Sequence, residues 1–263
     1  MTLTSSDYQA RGVRLDIEGG VARVTLCRPE RRNAQTPSMW FALAEIGAAL
    51  PSDVRIVVLS GDGSSFSAGL DRRMLSPEGV PGEPSLDLGS ASDAEAADRI
   101  DTYQQGFTWL RDPAFVSVAA VQGHAIGAGF QLALHCDIRI AAEDVQFCMF
   151  EPALGLVPDL GGTQLLVDAI GYAKAVEICA TARRVGAAEA ERIGLANLVV
   201  PGDQLPAAVD DLVAALLSTN VDATRETKRL LLGARDRSYD EQRRAEREAQ
   251  VQRLRALLSL ASN

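Results

Sequence analysis

Alternation and runs of apolar residues divide the chain into strands first and helices later. Residues 14–17 and 21–27 read as two short strands joined by Glu18-Gly19-Gly20, a hairpin signal. Thr36-Pro37 predicts a helix N-cap followed by proline at the first helical position. Met39, Leu43, Ile46 and Leu50 then recur at helical spacing and predict one buried face. Val54-Arg55-Ile56-Val57-Val58-Leu59 is a β-branched run of the kind that fills a strand covered on both sides. Residues 76–92, rich in Pro, Gly and Ser, predict a mobile loop.

A helix is expected over 93–111 and a buried strand over 115–121, after which Gly127 opens a helix running to about His135. Two short strands are expected at 138–141 and 145–148. Beyond Gly162 the pattern turns helical. Val209, Leu212, Val213, Leu216 and Leu217 form one apolar stripe, and a charged last helix over about 239–259 carries Val251, Leu254 and Leu258 on one side. Strand–helix alternation followed by helices predicts an α/β core over residues 1–200 and a C-terminal helical region over 201–263. The strand, glycine turn and helix of 54–71 and of 115–135 form a loose repeat.

Charge and cysteine usage narrow the function classes. With 263 residues and a formal net charge of −9, the chain does not suit general binding to nucleic acid or an anionic membrane. No apolar run reaches the roughly 20 residues that cross a bilayer. Met1 to Asp7 lacks the basic and apolar regions of a signal peptide, so a cytoplasmic location is expected. Cys27, Cys136, Cys148 and Cys179 form no CxxC pair, and His124 and His135 lack ligand spacing, so no metal site is expected.

The chemistry centres on two small-residue turns, Phe66-Ser67-Ala68-Gly69-Leu70-Asp71 and Val121-Gln122-Gly123-His124-Ala125-Ile126-Gly127-Ala128-Gly129. Each can aim backbone N–H groups at a developing negative charge. A Rossmann site is not matched, because Gly127 to Leu132 lacks the final small residue of GxGxxG. A serine hydrolase elbow fails too, since Ser65 stands two positions before Ser67 where GxSxG has glycine.

RPERRNA (28–34), FSAGLD (66–71), VQGHAIGAGFQLALHCDIRIAAED (121–144) and FEPALGLVPDLGGTQLL (150–166), in that order, make the chain resemble the crotonase, or enoyl-CoA hydratase/isomerase, superfamily from about residue 12 to 235. The resemblance implies a spiral of ββα units with a C-terminal helical trimerisation region. It also implies an acyl-CoA thioester substrate, coenzyme A as its carrier and no other cofactor, and a homotrimer or hexamer. The amides of Ala68 and Ala128 would hold the thioester enolate oxygen. Glu151 stands at the second of the two glutamate positions of the hydratases, and Gln131 at the first.

Glutamine positions a water or a substrate but exchanges no proton near neutral pH, which favours double-bond isomerisation by Glu151. Hydration of a 2-enoyl-CoA is an alternative. So is dienoyl-CoA isomerisation with Asp159 as second acid, Asp159 being equally readable as a helix cap. A non-catalytic acyl-CoA-binding protein is the alternative from another class. For the CoA, the resemblance points to Arg28, Arg31, Arg32, Ala34, Ser67, Leu70, Asp71, Arg73, His124 and Gly127, with Arg72 beside them. His135 is expected to pack behind its helix. The C-terminus lacks the aromatic and Lys-Arg pair that many members carry there.

Overall fold

The computed structural model describes residues 5–76, 78–84 and 91–261. A short helix α1 (Ser5–Ala10) leads into the predicted hairpin, β1 (Val13–Glu18) and β2 (Val21–Leu26). Helix α2 (Pro37–Ala49) begins at the expected proline, although the Thr36 side chain makes no capping bond. The Ser38 N–H is taken instead by Glu83 Oε2 at 2.9 Å. The rest of the expected 76–92 loop lies partly outside the described residues.

Strand β3 (Ile56–Gly61) is followed by α3 (Asp93–Thr108), β4 (Val116–Val121) and β5 (His124–Ile126). Next come α4 (Ala128–His135), β6 (Ile138–Ala142) and β7 (Gln146–Cys148). Ser92 starts α3 with a full capping box, its hydroxyl and Glu95 each serving the other's backbone N–H. Helices α5 (Gly162–Ile170) and α6 (Tyr172–Thr181), strand β8 (Val185–Gly186), helix α7 (Ala187–Arg192) and strand β9 (Leu198–Val200) follow. Helices α8 (Leu205–Leu217), α9 (Val221–Leu232) and α10 (Tyr239–Ala261) complete the chain.

The main sheet runs β1-β2-β3-β4-β6-β9 and is parallel except for the β1–β2 hairpin. Its central strands are buried on both faces, as the β-branched run predicted. Val57, Leu59, Ala119 and Val121 face the core shared with α2, α3 and α4. Ile56, Val58, Val118 and Ala120 face Leu205, Val209 and Val213 of α8. The apolar stripe of α8 is thus the cover of the sheet's second face. A small sheet, β5-β7-β8, stands apart and carries the glycine turn between β5 and α4. Among the described residues no helix is long and apolar enough to cross a membrane.

Candidate active site

The two glycine turns meet edge to edge. Phe66 N–H donates to Gln122 O and Ser67 N–H to His124 O, each at 2.8 Å, and Ile126 N–H returns a bond to Ser67 O at 3.0 Å. Gly69 adopts φ +82°, and a Cβ built on it would lie 2.3 Å from Ile126 O and 3.5 Å from Ala128 N. Only glycine permits both that dihedral and that approach. Gly127, at φ 51°, ties its own N–H to Cys148 O at 2.8 Å and leaves Ala128 as the first residue of α4.

The expectation that Ala68 supplies one of the donors is corrected. Its N–H is spent on Arg32 O at 2.8 Å. Two residues on, Gln35 N–H donates to Gly69 O and Asp71 N–H to Gln35 O, a bridge that passes over the amide between them. Among the described residues, neither the Leu70 nor the Ala128 N–H donates to a protein acceptor. Both residues line a cavity of about 390 Å³, and Ala128 adds the positive end of a helix.

Glu151 forms the wall opposite. A Cβ on Gly127 would lie 3.1 Å from its Oε1, so the carboxyl sits directly over the second turn. Oε1 accepts from Gln131 Nε2 at 2.8 Å. Oε2 is fully covered and has no partner among the described residues. Burial pushes the Glu151 carboxyl above the ordinary carboxylate range; the Gln131 bond opposes that rise and the Asp159 charge adds to it.

Gln131 itself is fully buried and does not line the cavity. Its Oε1 accepts from Leu160 N–H at 3.0 Å and Gly162 N–H at 3.2 Å. With the oxygen so engaged, the amide can only present N–H to Glu151. Gln131 therefore orients a carboxyl, where sequence reasoning expected it to orient a water or a substrate.

Asp159 lines the same cavity at its solvent-reached rim, and protein packed around it pushes its carboxyl up as well. The N-cap of α5 is Gly161, and the Gly162 N–H at the helix start is taken by Gln131 Oε1 rather than by Asp159. The helix-cap reading of Asp159 is thus overturned. Its place is held by Gln104 Nε2, which donates to the Asp159 carbonyl at 2.6 Å.

The remaining candidates divide. Arg31, Arg32, Ala34, Leu70, Asp71 and His124 line a second cavity of about 420 Å³, which shares Ala68, Leu70, Arg72, Ile126 and Phe150 with the first. Arg31, Arg32, Arg72 and Arg184 are exposed there, and among the described residues none is in an ion pair. Arg72 lies over the Phe150 ring at 5.3 Å. His124 bonds Ser65 Oγ through Nδ1 at 3.1 Å, and burial with the nearby Arg184 and Arg32 charges keeps it below the ordinary imidazole range.

Arg28 and Ser67 are turned into the protein, which corrects their assignment as ligand contacts, while Arg73 lines neither cavity but stays half exposed. Arg28 donates to Ala34 O at 2.7 Å and reaches Asp71, while Arg73 clamps Asp71 from the other side at 2.7 Å. Those bonds, with the Arg73 side chain foremost, hold the Asp71 carboxyl below its usual range. Ser67 is buried, donating to Asn33 O at 2.8 Å and accepting from Gln35 Nε2. These three brace the turn from beneath. His135 is buried behind α4 as expected, with Nδ1 on Gln131 O at 2.8 Å.

Sequence reasoning missed several lining residues, Arg184, Phe150, Trp40 and Tyr103 among them. Arg184 joins the arginine-lined cavity from just before β8, and its neighbour Arg183 was the available signal, a basic pair on an acidic chain. Phe150, between Cys148 and Glu151, lines both cavities. Trp40 and Tyr103 wall the first cavity, their rings 5.1 Å apart.

An α/β spiral with paired backbone turns under a buried glutamate defines a class of acyl-transforming enzyme, and comparison with known proteins gives that class its family. The Enoyl-CoA hydratase/isomerase family model matches residues 16–257. A Thermobifida fusca YX protein provisionally described as an enoyl-CoA hydratase, solved in complex with CoA, superposes with a TM-score of 0.94 at 52% identity, over 98% of both chains. The same protein in complex with acetoacetyl-CoA gives 0.93 at 52% identity, over 96% of this chain and 98% of that one.

Among curated relatives, the probable enoyl-CoA hydratase echA8 of Mycobacterium tuberculosis is 34% identical over 223 residues, 84% of this chain and 81% of its own length. The mitochondrial Delta(3,5)-Delta(2,4)-dienoyl-CoA isomerase of Mus musculus is 35% identical over 84% of this chain and 68% of its own length. The chain belongs to the enoyl-CoA hydratase/isomerase family and is an enzyme of lyase or isomerase type.

Proposed function

We propose that the protein shifts a carbon–carbon double bond in an enoyl-CoA thioester. The thioester oxygen would lie between the N–H groups of Leu70 and Ala128, which carry the negative charge as the α-proton leaves. Preorganised donors of this kind are each worth roughly 3–4 kcal/mol of barrier. Glu151 takes the proton and returns it further along the chain. The observation that carries this reading is a carboxyl that lines the cavity directly over the second turn, one oxygen of it held by Gln131. A single basic atom serves a proton shift on one face of the substrate. Adding water would call for a second acid at position 131, where Gln131 supplies none.

The CoA moiety fits the second cavity, where Arg31, Arg32, Arg72 and Arg184 offer charge to phosphates. The complexes of the Thermobifida fusca protein with CoA and acetoacetyl-CoA support an acyl-CoA ligand here. Incubating a 3-enoyl-CoA in deuterated buffer tests the reaction: label should enter the α- or γ-carbon. Glu151→Gln should lower turnover at least ~100-fold with CoA affinity nearly unchanged. An unchanged rate would remove Glu151 from the chemistry, and binding without turnover of any enoyl-CoA would favour a non-catalytic acyl-CoA carrier.

A second reading, dienoyl-CoA isomerisation, is favoured by Asp159, whose carboxyl shares the cavity with Glu151 and caps no helix. Asp159→Asn should abolish conversion of a 3,5-dienoyl-CoA while leaving thermal stability within about 0.5 kcal/mol. Retained dienoyl turnover would confine the chemistry to Glu151.

Every proposed catalytic and ligand-contacting residue falls before residue 201, while α8 beyond it covers the second face of the sheet. Sedimentation velocity would test the trimer or hexamer implied by the family resemblance. Four unpaired cysteines accord with a reducing, cytoplasmic location.

A further inference from the structure

Besides Asp159 and Arg72, the wall of the first cavity carries a polar group that the proposed proton transfer does not use. Tyr103, on α3, is 4% exposed and lines the cavity. Its ring is held by Trp40 at 5.1 Å and Phe41 at 5.8 Å, so the direction of its hydroxyl is set by packing. Among the described residues that hydroxyl has no hydrogen-bond partner. Among the described residues Glu151 Oε2 is the one fully covered side-chain nitrogen or oxygen left unpaired, so the Tyr103 oxygen is not sealed off within the protein. Burial keeps the phenol protonated and hence a donor.

The surfaces around it are apolar. Trp40, Ile100, Leu154, Leu156 and Leu160 share the cavity, and Trp40 has its own N–H committed to Gln35 Oε1 at 2.8 Å. A plain hydrocarbon filling this space would strip water from the Tyr103 hydroxyl and give nothing back. A site built to bond an oxygen rejects the analogue that lacks it far more strongly than an apolar wall rejects an extra hydroxyl.

We propose that the acyl cavity recognises an oxygen-bearing acyl chain, with a hydroxyl or keto oxygen beyond the reacting double bond accepting a hydrogen bond from Tyr103. This rests on the acyl-CoA reading above and specifies its substrate class. The oxygen takes no part in the proton shift; it fixes how far the chain enters and hence which carbons lie under Glu151.

The test uses 3-enoyl-CoA esters of one chain length, plain or with a single keto or hydroxyl group moved one carbon at a time along the chain. They are assayed against the wild type and Tyr103→Phe, which keeps the ring and its packing. At one position the oxygenated ester should exceed the plain one in kcat/KM by roughly tenfold or more. Tyr103→Phe should lower kcat/KM for that ester and raise it for the plain one, so that the preference disappears.

A wild type indifferent to the oxygen at every position would overturn the subsite. So would a preference that survives Tyr103→Phe, or an equal fall on both esters, which marks a packing role. If the plain ester is still turned over by the wild type and not by Glu151→Gln, only the subsite has failed. If neither ester binds, the acyl-CoA reading fails with it.

Discussion

Replacing Gln131 by glutamate is the sharpest probe of the site, because every atom around that side chain is accounted for. In the wild type, the amide oxygen accepts from Leu160 and Gly162 N–H and the amide nitrogen donates to Glu151 Oε1 at 2.8 Å. In Gln131→Glu, one carboxyl oxygen can keep both backbone donors while the other meets Glu151 Oε1 with no hydrogen between them. Two unit charges 2.8 Å apart repel by about 6 kcal/mol at an effective dielectric constant of about 20. That is about four pH units of proton affinity, so the pair holds one shared proton through neutrality.

The sign of the stability change follows from proton counts. Above the ordinary glutamate pKa the unfolded chain has released both protons, while the folded pair retains one. Stability therefore falls as pH rises, by about 1.4 kcal/mol per unit, until the shared proton leaves. Glu151 in the wild type, also raised, shows the same loss over a narrower range that ends at its own folded pKa. Urea denaturation from about pH 5 to pH 9 should give curves that agree at the acidic end and diverge above it. Parallel curves would refute the contact between residues 131 and 151.

Further expectations follow from other contacts. Burial holds His135 near a pKa of about 4, so it folds neutral. Stability should fall by about 3 kcal/mol as pH drops from about 6.5 to about 4, where the unfolded imidazole binds a proton that the folded one refuses. His135→Gln should flatten that limb in thermal melts, and an unaltered limb would refute the assignment. Gly69→Ala places a methyl 2.3 Å from Ile126 O in a left-handed backbone, so it should push the two turns apart. Loss of turnover with at least about 1 kcal/mol of stability is expected, and wild-type kinetics would show that the turn spacing is unimportant.

The parts of the molecule that sequence made legible are those where period and burial coincide. The double-sided burial of β3 followed from its β-branched run, and the cover provided by α8 from its stripe. Strands β5, β8 and β9, of two or three residues, are too short for any periodicity to register. Within the site, motif order located both turns and Glu151 but not the donor register. Which amide in FSAGLD stays free depends on the Gly69 dihedral and on the claim that Arg32 O makes on Ala68, neither of which is written in residue types. The arginines show the same limit. Arg28 has the chemistry of a phosphate ligand, yet buried Asp71 draws it inward, and the half-exposed Arg73 is tied to the same carboxyl. Gln131 lies one helical turn beyond Gly127, but only the arrival of Leu160 and Gly162 decides which way its amide turns.

The floor beneath Glu151 is made of peptide groups tied to one another, with Ser67 bonded on both sides to the β5 edge and Gly69 bridged to Gln35. Because each donor belongs to the main chain, ordinary side-chain replacement at Leu70 or Ala128 leaves it in place. The anion seat is thereby decoupled from the residues that choose the reaction. Under the proposed function, variation at Gln131, Glu151 and Asp159 would redirect the fate of the captured intermediate without rebuilding the seat that captures it.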